Sequence, residues 1–259
     1  MKIMNKNQRA LLEFYAETVD NCFMEKNPIN RLKEKINMDD KDMQADDGQT
    51  NDKQLDDLVQ DEFTRKISDN CNSLDELREV VENYKGIEIT KYATNVVFGD
   101  GNPDSDIMLI GEAPGANEDK YGIPFCGQSG KLLDNILKSI NIDRTNCYIT
   151  NTIFWRPPAN RRPTTDEIKT CKPFVEKHIA LVNPKTIVLV GSTAVESLLG
   201  LKTPMGSLRT QMFNYTNKYL THDISTFVIF HPSYLLRQPS QKKTMWCDMQ
   251  KIYKYLYKN

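Results

Sequence analysis

The chain has 259 residues, of which 39% are hydrophobic and 27% charged, enough for one sizeable domain with an appendage. No apolar run approaches the roughly 18 residues that a membrane span needs, and the opening MKIMNKNQRALLEF lacks a signal-peptide core, so a cytoplasmic protein is expected. The net charge of −1 hides an asymmetry: residues 1–84 carry 12 Lys/Arg against 20 Asp/Glu, whereas residues 85–259 carry 22 against 15, the balance of a polyanion-binding body behind an acidic extension.

In chain order, Leu11, Leu12, Phe14, Tyr15 and Val19 fall near helical spacing, which predicts a helical extension over residues 1–37. From Met38 to Glu62 there are ten acidic residues and two lysines, so residues 38–70 are expected to form an acidic, flexible linker. The remaining domain is assigned to residues 71–259. It opens on Ser73-Leu74-Asp75-Glu76, which has the pattern of a capping box with Ser73 as N-cap of a helix reaching about Tyr84.

Beyond that helix the chain alternates. Strands are predicted at Ile107–Ile110, Tyr148–Thr150, Thr186–Val190 and Thr226–Phe230, with helical patterns at 130–140, 166–182, 192–199 and 240–257. The expected fold class is α/β: a three-layer α/β/α domain around a central four-stranded parallel sheet. Right-handed crossovers bring all four strand ends to one edge, where ligands of open α/β sheets bind.

The segments at that edge carry the chemistry. The first strand runs into GEAPGANEDKYGIPFCGQSGKLLD (111–134), a loop with five glycines, two prolines, Glu112, Glu118, Asp119 and Phe125. A plain βα connection needs two to six residues, so this loop reads as a built site. Asn151 follows the second strand and leads into the basic stretch Arg156-Pro157-Pro158-Ala159-Asn160-Arg161-Arg162-Pro163. Gly191-Ser192-Thr193 after the third strand is the expected helix N-cap, and His231-Pro232-Ser233-Tyr234-Leu235-Leu236-Arg237 follows the fourth. Taken singly, each piece has an ordinary structural explanation; His178 and His222 are read that way. The six cysteines form no CxxC pair and point to reduced thiols, not to a metal site.

In order and spacing, GEAPG..ED..G.PF.G..G.LLD, YITN, RPP.NR and HPS.LLR resemble the type-4 branch of the uracil-DNA glycosylase superfamily over roughly residues 85–257. The resemblance implies an enzyme of base excision repair that flips deoxyuridine out of DNA and hydrolyses its N-glycosidic bond, leaving an abasic site. By motif position it implies that Phe125 stacks on uracil, that Asn151 reads the O4 and N3 edge, and that His231 stabilises charge at O2. Gly111, Ala113 and Gly115 would let the backbone approach the base. Where better-known relatives carry a water-activating aspartate this chain has Ala113, which leaves Glu112 and Glu118 as candidate carboxylates. Arg156, Asn160, Arg161, Arg162, Ser233 and Arg237 are the implied DNA contacts. Leu235 is the implied wedge into the base stack, the rival being that Leu235 or Leu236 faces the core.

The chain departs from its relatives at an iron–sulfur cluster. Of the four positions that hold it, only Cys171 is cysteine; the others are Tyr84, Ile87 and Trp155. One thiolate cannot hold a cluster that needs four, so no cofactor is expected. Uracil-containing DNA is the expected partner of a monomeric chain, with residues 1–70 a candidate segment for docking a protein partner. Two alternatives remain: a damaged-DNA-binding module without turnover, and a recruiting protein acting through its N-terminal extension. Covalent capture of DNA, known in one relative, needs a histidine that the Arg156–Pro163 loop lacks.

Overall fold

The computed structural model describes residues 61–258. The expected helical extension and most of the acidic linker lie outside the described residues. The linker's last ten residues do not: 61–69 form a helix (α1) with Thr64 and Ser68 buried. Arg65 of α1 pairs with Glu176 at 3.3 Å, and Asp69 takes Lys218 and the Tyr219 hydroxyl. The folded body therefore begins before residue 71.

The helix α2 (Leu74–Asn83) starts as its sequence dictates, with Ser73 Oγ accepting the Glu76 N–H at 3.2 Å and Glu76 Oε2 accepting the Asn72 N–H at 2.6 Å. Six strands follow, interleaved with helices: β1 (Asp100–Gly101), β2 (Ile107–Gly111), β3 (Tyr148–Asn151), β4 (Thr186–Val190), β5 (Met212–Tyr215) and β6 (Ile224–Ile229). They form one mixed sheet in the order β1-β3-β2-β4-β6-β5. The inner four, β3-β2-β4-β6, are parallel and are the strands expected from sequence. The antiparallel edge strands β1 and β5 were not expected: Asp100-Gly101 is too short to show a period, and Met212–Tyr215 is largely exposed.

Period-2 alternation splits the inner strands between two cores. Met108, Ile110, Ile187, Leu189 and Val228 face α2, α5 (Thr165–Val182) and α6 (Ser192–Leu199). Ile107, Leu109, Val188, Val190 and Ile229 face α4 (Gln128–Lys138), α8 (Pro232–Arg237) and α9 (Lys242–Lys258). Two short helices, α3 (Ala116–Tyr121) and α7 (Met205–Leu208), lie in connections. The parallel register puts the ends of β2, β3, β4 and β6 on one edge, with Gly111 paired to Asn151 across β2 and β3.

Candidate active site

Asn151 closes β3 and is 2% exposed, yet its side-chain amide makes no hydrogen bond among the described residues. An amide that bonds nothing in the fold and lines a cavity keeps its donor and its acceptor free for a ligand. It lines a cavity of about 410 Å³ together with Glu112, Gly115, Phe125, His231 and Arg237. Gly111 is required beside it, since a Cβ there would collide with Asn151 Oδ1 and with the Phe125 ring.

Phe125 is 5% exposed and holds a left-handed backbone, φ 52°, unusual for an aromatic residue. Arg144 over-determines it, donating from Nη2 to the Phe125 carbonyl at 2.7 Å and from Nη1 to the Pro124 carbonyl at 3.1 Å while pairing with Asp134 and Asp100. Gly130 completes the fit, because a Cβ there would overlap the Phe125 carbonyl. The Phe125 ring then lies 5.6 Å from the His231 ring, centroid to centroid, at an interplanar angle of 32°. Sequence reasoning missed Arg144, whose turn between α4 and β3 carries no motif.

His231 is the N-cap of α8. Its Nδ1 accepts the Ser233 N–H at 3.2 Å and lies 2.8 Å from Ser233 Oγ. Accepting a backbone N–H fixes the tautomer: the neutral ring carries its proton on Nε2. Burial lowers the imidazole pKa below its ordinary value, Glu112 opposes the shift, and Arg237 adds to it. Ser233, expected to contact DNA, thus orients the histidine as well.

The two candidate carboxylates differ in what holds them. Glu118 sits at the third position of α3 and accepts the Gly115 N–H at 3.1 Å and the Gly127 N–H at 2.9 Å, one on each oxygen. It fastens the two ends of the long loop. Glu112 accepts the Thr193 hydroxyl on Oε2 at 2.6 Å, and Thr193 Oγ1 in turn accepts Arg162 Nε at 3.1 Å. The other oxygen of Glu112 makes no hydrogen bond among the described residues, and Glu112 lines the cavity. Thr193, expected only near a helix cap, is thus a support of the site; the cap itself is Gly191 at φ 95°. Ala113 offers only a methyl group to the cavity wall.

The expected DNA contacts divide. Arg161 forms a bidentate pair with Glu167 at 2.6 and 2.8 Å, Arg162 pairs with Glu196 at 2.7 Å, and Arg156 donates to Asn160 at 2.7 Å. Arg237 is exposed and has no ion pair among the described residues. The placement of Leu235 is corrected: it is fully buried against α4 and α9, while Leu236 is 40% exposed. At helical spacing only one of two adjacent leucines can face the core, and the core face falls on Leu235.

The four positions at which the sequence resemblance implies an iron–sulfur cluster do not fit one. The Tyr84 ring lies 6.0 Å from Trp155 and 5.2 Å from Phe174, and Trp155 is 2% exposed. Cys171 is fully buried in the same core, and burial pushes its thiol pKa up, away from the thiolate a metal requires. Three of the four donors are replaced by carbon-rich side chains: Tyr84 and Trp155 lie in the core, and the partly buried Ile87 packs against it. Among the described residues no group of three or more His, Cys, Asp or Glu side chains converges as a metal site, and no helix is long and apolar enough to cross a membrane.

Comparison with known proteins agrees with this geometry. The profile of the Uracil DNA glycosylase superfamily matches residues 98–255. The type-4 uracil-DNA glycosylase of Sulfurisphaera tokodaii is 37% identical over 70% of this chain and 84% of its own length. That of Pyrobaculum aerophilum is 30% identical over 68% of this chain and 91% of its own, and that of Thermotoga maritima 37% over 64% and 85%.

Proposed function

Because the chain belongs to the uracil-DNA glycosylase superfamily and is similar to its type-4 members, we propose that it releases uracil from DNA through Phe125, Asn151 and His231. The observation that carries the assignment of residues is the unpartnered Asn151 amide, buried beside the Phe125 ring and across the cavity from His231. A side-chain amide offers both the donor for O4 and the acceptor for N3–H that this edge of uracil requires, whereas a carboxylate could not donate to O4. Phe125 supplies the stacking surface that offsets extrusion of the base from the duplex, which costs a few kcal/mol.

Cleavage of the bond from C1′ to N1 leaves the electron pair on uracil, and negative charge gathers at O2. The Nε2–H of a neutral His231 donates to that oxygen without needing an acid of matched pKa. Such preorganised donation to a developing anion is worth about 2.7–4 kcal/mol for one donor. Water adds to C1′ from the opposite side and releases a proton, while the uracil anion takes one up. Glu112 is the group that orients this water: Thr193 holds one of its oxygens and the other is open to the cavity. Glu118 positions the loop and does not take the proton, since both its oxygens hold backbone N–H groups.

The same reading makes this an iron-free enzyme, with Tyr84, Trp155 and Phe174 filling the space of a cluster. Oligonucleotides with a single deoxyuridine test the whole. After incubation with the protein they become cleavable by alkali, whereas thymine controls remain intact, and the purified protein is colourless and free of iron. Uracil DNA left untouched by the wild-type chain refutes the catalytic reading; about four irons per chain refutes the iron-free one.

A further inference from the structure

A second cavity of about 670 Å³, larger than the one around Asn151, adjoins it, and Glu112, Ala113, His231, Ser233 and Arg237 line both. Its far wall has no part in the uracil chemistry. That wall holds the Phe230 and Tyr234 rings, 5.0 Å apart, with Arg209 lying 5.3 Å from the centroid of Phe230. Gly206 forms its open margin, where an added Cβ would meet nothing within 4 Å.

We propose that this cavity is a second nucleotide subsite, which takes the base adjoining the target deoxyuridine in the substrate strand. The inference rests on the uracil-release reading of the first cavity. A strand whose uracil lies between Phe125 and Asn151 must pass its sugar and phosphate over the residues common to both cavities. There Arg237, which has no ion pair among the described residues, meets the phosphate. The next base arrives beside two aromatic rings and a guanidinium, the lining that binds bases regardless of sequence. Ala113 keeps the passage wide, since a longer side chain would project into both cavities. The Arg209 guanidinium is held by Asp248 at 2.7 Å, so it is a fixed part of the wall and not a mobile surface cation. Occupancy of the subsite requires the neighbouring base to leave its own stack, so the enzyme favours single strands and loosely stacked contexts.

The test uses single strands carrying one deoxyuridine, with the base on its 5′ or its 3′ side removed by an abasic analogue. Stacking on one ring is worth roughly 5- to 150-fold in affinity. Loss of one of the two neighbouring bases is therefore expected to raise the KM for uracil release about tenfold with kcat unchanged. Tyr234→Ala raises KM on the intact strand by a similar factor and then becomes indifferent to the missing base. Gly206→Leu narrows the cavity from its open margin and gives the same indifference, which keeps the test intact if Tyr234→Ala fails to fold. A KM insensitive to both neighbours, or base and side-chain effects that simply multiply, overturns the subsite while uracil release stands. No release of uracil from any strand overturns the uracil reading and the subsite with it.

Discussion

The Nδ1 of His231 accepts the backbone N–H of Ser233, so the proton of the neutral ring sits on Nε2. Burial lowers the imidazole pKa, and the neutral donor is therefore the form present at pH 7. Protonation, which would move the ring out of this state, requires a pH below the ordinary imidazole value of about 6.5. The single-turnover rate of uracil release is expected to be flat across neutral pH and to fall only on an acid limb below that value. A rate that rises on acidification through pH 6.5 would show that the cation is the working form.

His178 gives a separate pH dependence, of stability. It is fully buried in the first core, Nε2 lies 3.0 Å from the Tyr148 hydroxyl, and burial lowers its pKa to about 3. The unfolded chain binds a proton near pH 6.5 that the folded chain refuses until about pH 3. Stability is therefore unaffected above pH 6.5 and declines as pH falls between these values, by up to about 1.4 kcal/mol per pH unit from this group. Urea titrations of wild type and His178→Phe at pH 7 and pH 5 check this, the variant being expected to lose less stability on acidification.

Removing the amide or the imidazole is expected to slow the chemistry without unfolding the protein. Loss of one preorganised donor costs about 100- to 1,000-fold in rate. Asn151→Ala and His231→Ala should each reach that range in single-turnover assays with uracil DNA. Asn151→Ala also removes a buried amide that satisfies nothing in the fold, so its melting temperature is expected to remain near that of wild type. A large fall in melting temperature would make Asn151 a structural residue instead.

The four inner strands and their helices were legible because strand-forming runs of three to five residues alternate with 3.6-period segments. The residues at the strand ends were legible because parallel topology sends them to one edge. Three things were not. β1 and β5 carry too little apolar signal to be seen before their partners are known. Arg144 and Thr193 support the site through contacts 19 and 81 residues away in sequence, and no local pattern encodes such reach. The choice between Leu235 and Leu236 needed the position of α8 against α4, which the pair itself does not specify.

Glu112 and Glu118 are both carboxylates of one loop, yet they should fail differently. Glu118→Ala frees the two N–H groups of Gly115 and Gly127, and the N–H of the buried Gly127, left unsatisfied, costs about 1–3 kcal/mol. Its melting temperature should fall and its KM rise. Glu112→Gln keeps the size of the side chain and should lower kcat with little change in melting temperature. Thr193→Val should reproduce part of that loss, and combining it with Glu112→Gln should add little. Additive effects would separate Thr193 from the carboxylate.

The adjacent leucines of α8 make a matched pair of tests. Leu235 is fully buried, and Leu→Ala at such a site costs about 2–5 kcal/mol of stability. Leu236 is 40% exposed on the helix that follows His231, the place for an apolar side chain to enter the stack vacated by a flipped base. Leu236→Ala is therefore expected to leave the melting temperature within about 0.5 kcal/mol equivalent. It should weaken release of uracil from duplex DNA more than from single strands, because only the duplex has a gap to fill. Equal losses on both substrates would remove Leu236 from the wedge role, since a general fault in the site would not distinguish them.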